Sequence, residues 1–537
     1  NSVGLPKQHT VDETGRFVAD FGAGLKGRPV KAAETEKIIL NYLLNSGALL
    51  KMRPYPHEYP FCWRCDHPLL YYAASSWFIA VSRLRKQLLA NNKKITWIPA
   101  HMKDGRFGEW LKDAKDWALS RTRYWGTPLP VWECESCDKR RIVGALSELD
   151  KNSPRDLNTY LLLRHGEAET NAKQILSSWP ESGKYHLTEH GKKQIEKQIP
   201  RLRKEKVDLI FSSDLLRTKE TTAIIGRALK KPVRYDARLR EHDTGIYNGR
   251  PTAEWHERYT RVTDQYAVPP KNGESMADVR RRMVEFLREL DRKYSGKRIL
   301  IVSHGNPITA AVVGYGGYDQ KETPSIEKKF RIDQTGTLIR VRGHNWPYNA
   351  DGELDLHRPF VDDIRIRCNG CNGAMRRVPE VMDVWFDSGA MPFAQNNAAE
   401  MQYPADFICE GVDQTRGWFY TLHAIGALMD RGPAYRAVIA LGHVLDEKGE
   451  KMSKSKGNVV DPWNVIARYG ADALRWYFFT VNPAGEPKHF AERDVGERLR
   501  RTINTLENMV RFYKMYGAPL QAESTPRGTK NPLDRWI

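Results

Sequence analysis

Six of the seven cysteines stand in three C-x-x-C pairs, Cys62/Cys65, Cys134/Cys137 and Cys368/Cys371, and Cys409 stands alone. A C-x-x-C turn presents two thiolates to one side, and two such turns complete a tetrahedral four-sulfur site for Zn(II). In a reducing compartment the spacing therefore reads as metal binding rather than disulfide bonding. The pairs lie near short turns of Gly, Asn and Asp, as at 133–138 and 369–373, the setting of zinc-ribbon knuckles. Two of the pairs are 231 residues apart, so a small metal domain built from both must be left and re-entered by the chain. Closure entropy grows only logarithmically with loop length, and an insert that folds by itself with neighbouring termini adds little strain. Cys409, in the apolar stretch 405–410, is expected to be a packed core thiol.

The text between the two pairs changes character near Ser153-Pro154 and again near Trp346-Pro347. At roughly 150 residues per domain, 537 residues imply three or four globular units. Hydrophobic periodicity in the middle one predicts strand 159–163, helix 188–204, strand 207–212, helix 216–229, helix 276–293 and strand 298–302, the alternation of an autonomous α/β unit with a parallel sheet.

Arg164-His165-Gly166 follows the first of these strands and Ser303-His304-Gly305 the last, which puts both imidazoles at the carboxyl edge, where open sheets bind ligands. Two histidines and several arginines converging there suit phosphoryl transfer without a metal: one imidazole attacks phosphorus while the other and the guanidinium forks neutralise the oxygens. Companion motifs are Glu167-Ala168-Glu169-Thr170-Asn171, Leu187-Thr188-Glu189-His190-Gly191, Ser212-Ser213-Asp214-Leu215-Leu216-Arg217-Thr218, Leu239-Arg240-Glu241 and Gly273-Glu274-Ser275. Together they resemble the histidine phosphatase superfamily over roughly residues 157–345. The resemblance implies that His165 is the phosphorylated nucleophile, that Arg164 and Arg217 clamp the phosphate, that His304 completes the pocket, that Asn171 contacts substrate and that Glu241 donates the proton. An acid working near neutrality needs a raised pKa, which the neighbours Arg240 and His242 oppose. The short stretch between Glu241 and Gly273 leaves little room for a mutase's lid and favours hydrolysis of a phosphomonoester. The alternative reading is a non-catalytic pocket that senses a phosphorylated ligand and relays its occupancy through the ribbon.

Outside the insert, the segment from Gly442-His443 through Lys451-Met452-Ser453-Lys454-Ser455 to Gly457-Asn458 is a Gly-bounded, lysine-rich loop that can close over a triphosphate. With Tyr469-Gly470-Ala471-Asp472 behind it, it resembles the class I aminoacyl-tRNA synthetases of the isoleucine, valine and leucine subgroup. Asp383-Val384-Trp385-Phe386-Asp387-Ser388-Gly389 and Glu410-Gly411-Val412-Asp413-Gln414-Thr415-Arg416-Gly417-Trp418 look isoleucyl. The resemblance implies that Glu410, Asp413 and Gln414 contact the aminoacyl-adenylate, that Trp418 helps form the amino-acid pocket, that His443 lies beside adenine, and that Lys451 and Lys454 act on ATP. Trp385 and Phe386 are read equally as buried structural residues or ligand contacts, and the run from Arg121 to Trp125 as RNA or substrate contacts or as braces of the fold. The fold class implied is α/β: the second half of a Rossmann-type catalytic domain with a zinc ribbon, interrupted by the phosphatase domain and followed by the start of an α-helical anticodon-binding bundle.

Expected boundaries are residues 1–60 for the remnant of an editing domain, 61–130 for the return to the catalytic domain, 131–155 with 348–378 for the split ribbon, 156–347 for the insert, 379–462 for the second catalytic half and 463–537 for the stem-contact helices and bundle. The His-Ile-Gly-His element that partners the lysine loop is not in this sequence, so the chain is read as an internal fragment. Cys62/Cys65 resemble half of a second zinc site whose other pair lies upstream. Lys and Arg number 85 against 66 Asp and Glu, a formal charge of +19, which attracts polyanions such as RNA. No apolar run approaches the ~18 residues that span a bilayer. The expected partners are tRNA(Ile), L-isoleucine, ATP with Mg(II) and an unidentified phosphomonoester, with no membrane; the expected protein is a cytoplasmic monomer.

Overall fold

The computed structural model describes residues 9–62, 65–72, 75–122, 125–395, 402–453 and 456–517. They fall into two compact units, Asn1–Trp77 and Phe78–Ile537. In the first, helix Ala33–Asn45 opens with Glu34 and Glu36 in its first turn, which complement the positive end of the helix dipole. Cys62 and Cys65 lie in a tight turn in which Asp66 N donates to Cys62 O and Cys62 N to His67 O, both at 2.8 Å. Trp63 and Arg64 between them lie outside the described residues.

At the centre of the second unit is a five-stranded sheet in the order Leu338–Arg342, Thr159–Arg164, Arg298–Ser303, Leu209–Ser212, Val233–Tyr235. Only the first strand runs antiparallel to its neighbour. The central strands are apolar between their ends, at 160–163, 209–211 and 299–302, as strands covered on both faces must be. Helices Glu189–Lys204 and Leu216–Leu229 pack together, and Ile195, Leu202 and Ile225 form a core with Leu161, Leu163, Leu300 and Val302. On another core, helix Met276–Lys293 buries Val279, Met283, Val284, Phe286, Leu287 and Leu290 against helix Gly305–Tyr315. That spacing of three and four residues makes one apolar stripe. Ser275 caps the helix, its hydroxyl accepting from Asp278 N at 3.2 Å. The six predicted elements are present within two residues at each end, and the edge strands at 233–235 and 338–342 join them.

The cysteine ribbon is one antiparallel sheet in the order Arg365–Arg367, Ala374–Arg377, Val131–Cys134, Arg140–Ile142. Its two middle strands come from opposite sides of the insert and pair in register, Met375 with Cys134 and Arg377 with Trp132. The joint is polar and specific. Asp150 accepts from His344 Nδ1 and Asn345 N, both at 2.8 Å, and Asn345 Nδ2 donates to Arg365 O at 2.9 Å. His344 stacks on Trp346 with ring centres 3.8 Å apart. Tyr348 reaches back into the insert's core, its hydroxyl donating to Tyr315 O at 2.6 Å.

A third sheet is parallel, in the order Ala405–Gly411, Tyr435–Leu441, Thr96–Ile98, and packs on helix Trp418–Leu428 and the segment 81–114. Here the sequence reading of Cys409 fails, because the residue is exposed. It lies on the outer strand of the sheet, where only Ile408 turns into the core, so alternation takes Cys409 to the opposite face. Trp385 is likewise 42% exposed rather than buried. Arg121 braces the fold: its Nη2 donates to Asp383 Oδ2 at 2.6 Å and its Nη1 to Ala118 O at 2.7 Å. Arg123 and Tyr124 lie outside the described residues.

Candidate active sites

Parallel pairing brings His165 and His304 to the same sheet edge, because Arg164 and Ser303 are register partners. Their rings are 5.1 Å apart, and both residues are buried. The Nδ1 of His165 lies 2.7 Å from Gly166 O, so it carries the proton and donates there, which leaves Nε2 unprotonated and an acceptor. Arg217 Nε donates to that Nε2 at 3.1 Å. Burial holds His165 well below the ordinary imidazole range, and the Arg217 and Arg164 guanidinium groups push it further down. His304 is depressed for the same reasons. A neutral, oriented imidazole with its lone pair in a pocket is a nucleophile.

Four buried polar atoms at this place have no hydrogen-bond partner: Arg164 Nε, Arg217 Nη1, Ser177 Oγ and His304 Nδ1. Buried polar atoms are rarely left so in native proteins, and these four stand around one imidazole. The rest of each group is fixed. Arg164 Nη1 donates to the carbonyls of Ile332, at 2.9 Å, and Asp333; Arg217 Nη2 donates to Ser177 O at 2.9 Å; and the Ser213 hydroxyl donates to His304 Nε2 at 2.9 Å, with the ring proton on Nδ1. Glu181 Oε1 stands 3.8 Å from Arg217 Nη1. Asn171 lines the same cavity of about 390 Å³, with its side-chain oxygen accepting from Ala168 N at 3.0 Å.

Glu241 also lines the cavity, with Oε2 4.0 Å from His304 Nδ1 and Oε1 accepting from His242 N at 2.9 Å. The two cationic neighbours expected to oppose its acid role are turned away. Arg240 forms a fork with Asp214, at 2.7 and 2.6 Å, and lies 3.9 Å over the Trp179 ring. His242 is kept neutral by burial, with Nε2 donating to Glu274 O at 2.7 Å. The short segment after Glu241 forms two short helices, Thr252–Arg258 and Val262–Ala267, and Thr252, Trp255, Val262 and Gln265 form a wall of the cavity. Ser177 and Glu181 were not legible in the sequence: they lie in an irregular stretch without periodicity, and only the fold brings them to Arg217.

In the ribbon the four sulfurs of Cys134, Cys137, Cys368 and Cys371 lie within 4.8 Å of one another, with closest approaches of 3.4 and 3.6 Å. Four thiolates about one ion with metal–sulfur bonds of ~2.3 Å stand roughly 3.8 Å apart, so the group fits a metal. Backbone amides point at the sulfurs, Gly370 N to Cys368 at 3.3 Å, Ser136 N to Cys134 and Gly373 N to Cys371 at 3.4 Å. The Gly370 and Cys371 amides draw the Cys368 thiol down to about 6, which favours the ligating thiolate. Among the described residues this is the one such group.

At the third sheet, strands 405–411 and 435–441 end in register, Glu410 beside Ala440 and Gly411 beside Leu441. Glu410, Asp413, Gln414, Trp418 and His443 thus share one carboxyl edge. Gln414 Oε1 accepts from Trp418 N at 2.8 Å, and Asp413 stands 4.0 Å from Arg106. Lys451 bridges to Leu445 and is exposed; Lys454 and Ser455 lie outside the described residues. Asn458 ties the loop together: it donates to Asp446 Oδ2 and accepts from Ser453 N, both at 2.9 Å.

Residues 13–215 and 345–488 match the family described as tRNA synthetases class I (I, L, M and V). The chain belongs to this family. The synthetase is interrupted by a histidine phosphatase domain, residues 160–344 matching the histidine phosphatase superfamily (branch 1). The two matches overlap at 160–215, and strand pairing assigns that stretch to the phosphatase sheet, since both of its strands flank strand 298–303. The isoleucine–tRNA ligase of Dehalococcoides mccartyi is 31% identical over 547 residues, covering 99% of this chain and 35% of the relative. That of Thermus thermophilus is 30% identical over 544 residues, covering 99% and 33%. The synthetase chain thus spans about a third of the length of these relatives. A mycobacterial glucosyl-3-phosphoglycerate phosphatase is 26% identical over 31% of this chain and 86% of its own, with a TM-score of 0.29. Among the described residues no helix is long and apolar enough to cross a membrane.

Proposed function

We propose that the insert is a phosphomonoesterase working through a phosphohistidine. The observation that carries this reading is the set of four unpartnered buried atoms around a neutral His165. His165 Nε2 attacks phosphorus, the phosphorus–oxygen bond to the alcohol breaks, and Glu241 gives its proton to the leaving oxygen. Arg164, Arg217 and His304 hold the phosphoryl oxygens, and Asn171 contacts the substrate. Water, deprotonated by Glu241, then attacks the phosphohistidine, the nitrogen–phosphorus bond breaks and phosphate leaves. The test is phosphate release from p-nitrophenyl phosphate by the chain and by His165→Ala. Release lost in the variant supports hydrolysis; a folded chain that binds phosphate without release moves the reading to a phospho-ligand sensor.

In the longer protein we infer an isoleucine–tRNA ligase, joining L-isoleucine to tRNA(Ile) at the expense of ATP with Mg(II), cytoplasmic and monomeric. Glu410, Asp413, Gln414 and Trp418 would hold the aminoacyl-adenylate, His443 the adenine, and Lys451 with Lys454 the leaving pyrophosphate. Sharing one carboxyl edge supports this grouping. Zn(II) at Cys134, Cys137, Cys368 and Cys371 would fasten the ribbon, and Cys62 with Cys65 would supply half of another site. The boundaries 1–60, 61–130, 131–155 with 348–378, 156–347, 379–462 and 463–537 are the domain division we assign. Isoleucine-dependent pyrophosphate exchange by the longer protein, lost in Trp418→Ala, tests the ligase reading.

A further inference from the structure

The phosphate-holding atoms use only the inner end of the His165 cavity. A second space of about 810 Å³ adjoins it, sharing Arg164, Asn171, Thr252, His256 and Asp333 with it. Beside Arg164, His256 and Asp333, most of what lines this outer cleft is neutral amide and hydroxyl: Gln174, Gln194, Gln334 and Thr335 join Thr170 and Asn171. The inner cavity adds the hydroxyls of Thr244, Thr309 and Thr323 and an apolar wall that includes Val262 and Met276. Hydroxyl and amide groups beside a small apolar wall match a molecule with both hydroxyls and C–H faces.

The charges say what is excluded. Two arginines line the inner cavity, Arg164 and Arg217, and both are engaged at the phosphoryl position; no lysine joins them. Three carboxylates, Glu241, Glu327 and Asp333, line it as well. Glu327 takes a hydrogen bond from Thr309 Oγ1 at 3.1 Å, and Asp333 is one of the two residues whose carbonyls hold Arg164. A ligand with one phosphate is matched by the arginines; a second anionic group would meet Glu327 and Asp333 in a partly desolvated place where like charges repel strongly, with the His256 ring and neutral amides and hydroxyls as the other polar lining.

Resting on the phosphatase reading, we propose that the insert's substrate is the monophosphate ester of a neutral, hydroxyl-rich alcohol of sugar size, and that Glu327 and Asp333 select against a second anionic group. The amide-lined cleft receives the hydroxyls of the alcohol, and the two carboxylates turn away bisphosphates and phosphorylated acids. The experiment is kcat/KM of the chain for glucose 6-phosphate, ribose 5-phosphate, fructose 1,6-bisphosphate and 3-phosphoglycerate, with p-nitrophenyl phosphate as the general substrate, repeated with the Glu327→Gln, Asp333→Asn double variant. Expected is at least a tenfold preference for one of the sugar monophosphates over both multiply anionic esters, falling at least fivefold in the double variant, each preference being the ratio of kcat/KM values within one protein so that a general loss of activity cancels. Equal or greater kcat/KM for the bisphosphate or the glycerate ester, or a preference that the double variant leaves unchanged, overturns the proposal. Turnover of p-nitrophenyl phosphate without preference for a sugar monophosphate sinks this inference alone; no phosphate release from any substrate sinks the phosphatase reading with it.

Discussion

Gly166 and Gly191 face each other where the histidine loop meets the start of helix Glu189–Lys204. A Cβ on Gly166 would come within 2.5 Å of Gly191 O, and one on Gly191 within 2.0 Å of Glu167 O. These are backbone atoms, which cannot swing aside, so Gly191→Ala is expected to cost about 1–3 kcal/mol and to displace His165, seen as a lowered unfolding midpoint together with at least tenfold less phosphate release. The buried histidines make a second prediction. His165 and His304 have folded pKa values below the ordinary 6.5, whereas in the unfolded chain they take up protons near 6.5. The folded insert refuses protons that the unfolded one binds, so its stability is fully present above pH 6.5 and falls as pH drops towards the folded values, by on the order of 1 kcal/mol per pH unit for each histidine. Thermal transitions recorded from pH 8 to 5 check this, and a midpoint that rises on acidification contradicts it. The motif histidines and arginines were legible because they stand in short fixed patterns directly after strand ends. Ser177 was not, because a serine in an irregular stretch carries no signal until a fold surrounds it.

Helix Met276–Lys293 shows how much an element owes to its ends. Its apolar stripe is readable by period, and Ser275 with Asp278 is readable as a capping box. Ser275→Ala is expected to destabilise the insert by about 1 kcal/mol, measured by denaturant unfolding. The effect reaches the site, because Arg282 on this helix donates to Glu241 O at 3.3 Å and pairs with Glu274 at 2.6 Å. Edge strands 233–235 and 338–342 were harder to read, being short and half-polar, so that pairing with a neighbour rather than their own composition makes them strands. Cys409 was misread for a related reason: a run of apolar letters does not say which side of a sheet is covered.

At the scale of the molecule, the ribbon is where the chain leaves the synthetase domain for the insert and returns to it. Its middle strands enter from either side of the insert, and four cysteines from the two sides meet in one cluster. Metal analysis should find about one zinc per chain at this cluster, and Cys368→Ser should lower it to near zero. Removing the metal should release hydrogen-exchange protection in strands 131–134 and 374–377 while the five-stranded sheet keeps its own, because the insert has separate cores that no cysteine enters. Loss of protection in both together would show that the insert depends on the ribbon. The sequence by itself determined the presence of an inserted α/β unit, the pairing of distant cysteine turns and the identity of the two motif sets, since each rests on local spacing that chemistry requires. Only the tertiary structure decided that Asp214 draws the Arg240 side chain away from Glu241 and the Glu274 carbonyl does the same for the His242 ring, that Ser177 lies beside Arg217 in the His165 cavity and that an amide-lined cleft adjoins that cavity. Those facts depend on which side chains long-range strand pairing and helix packing bring within a few ångströms, and no local pattern encodes that distance.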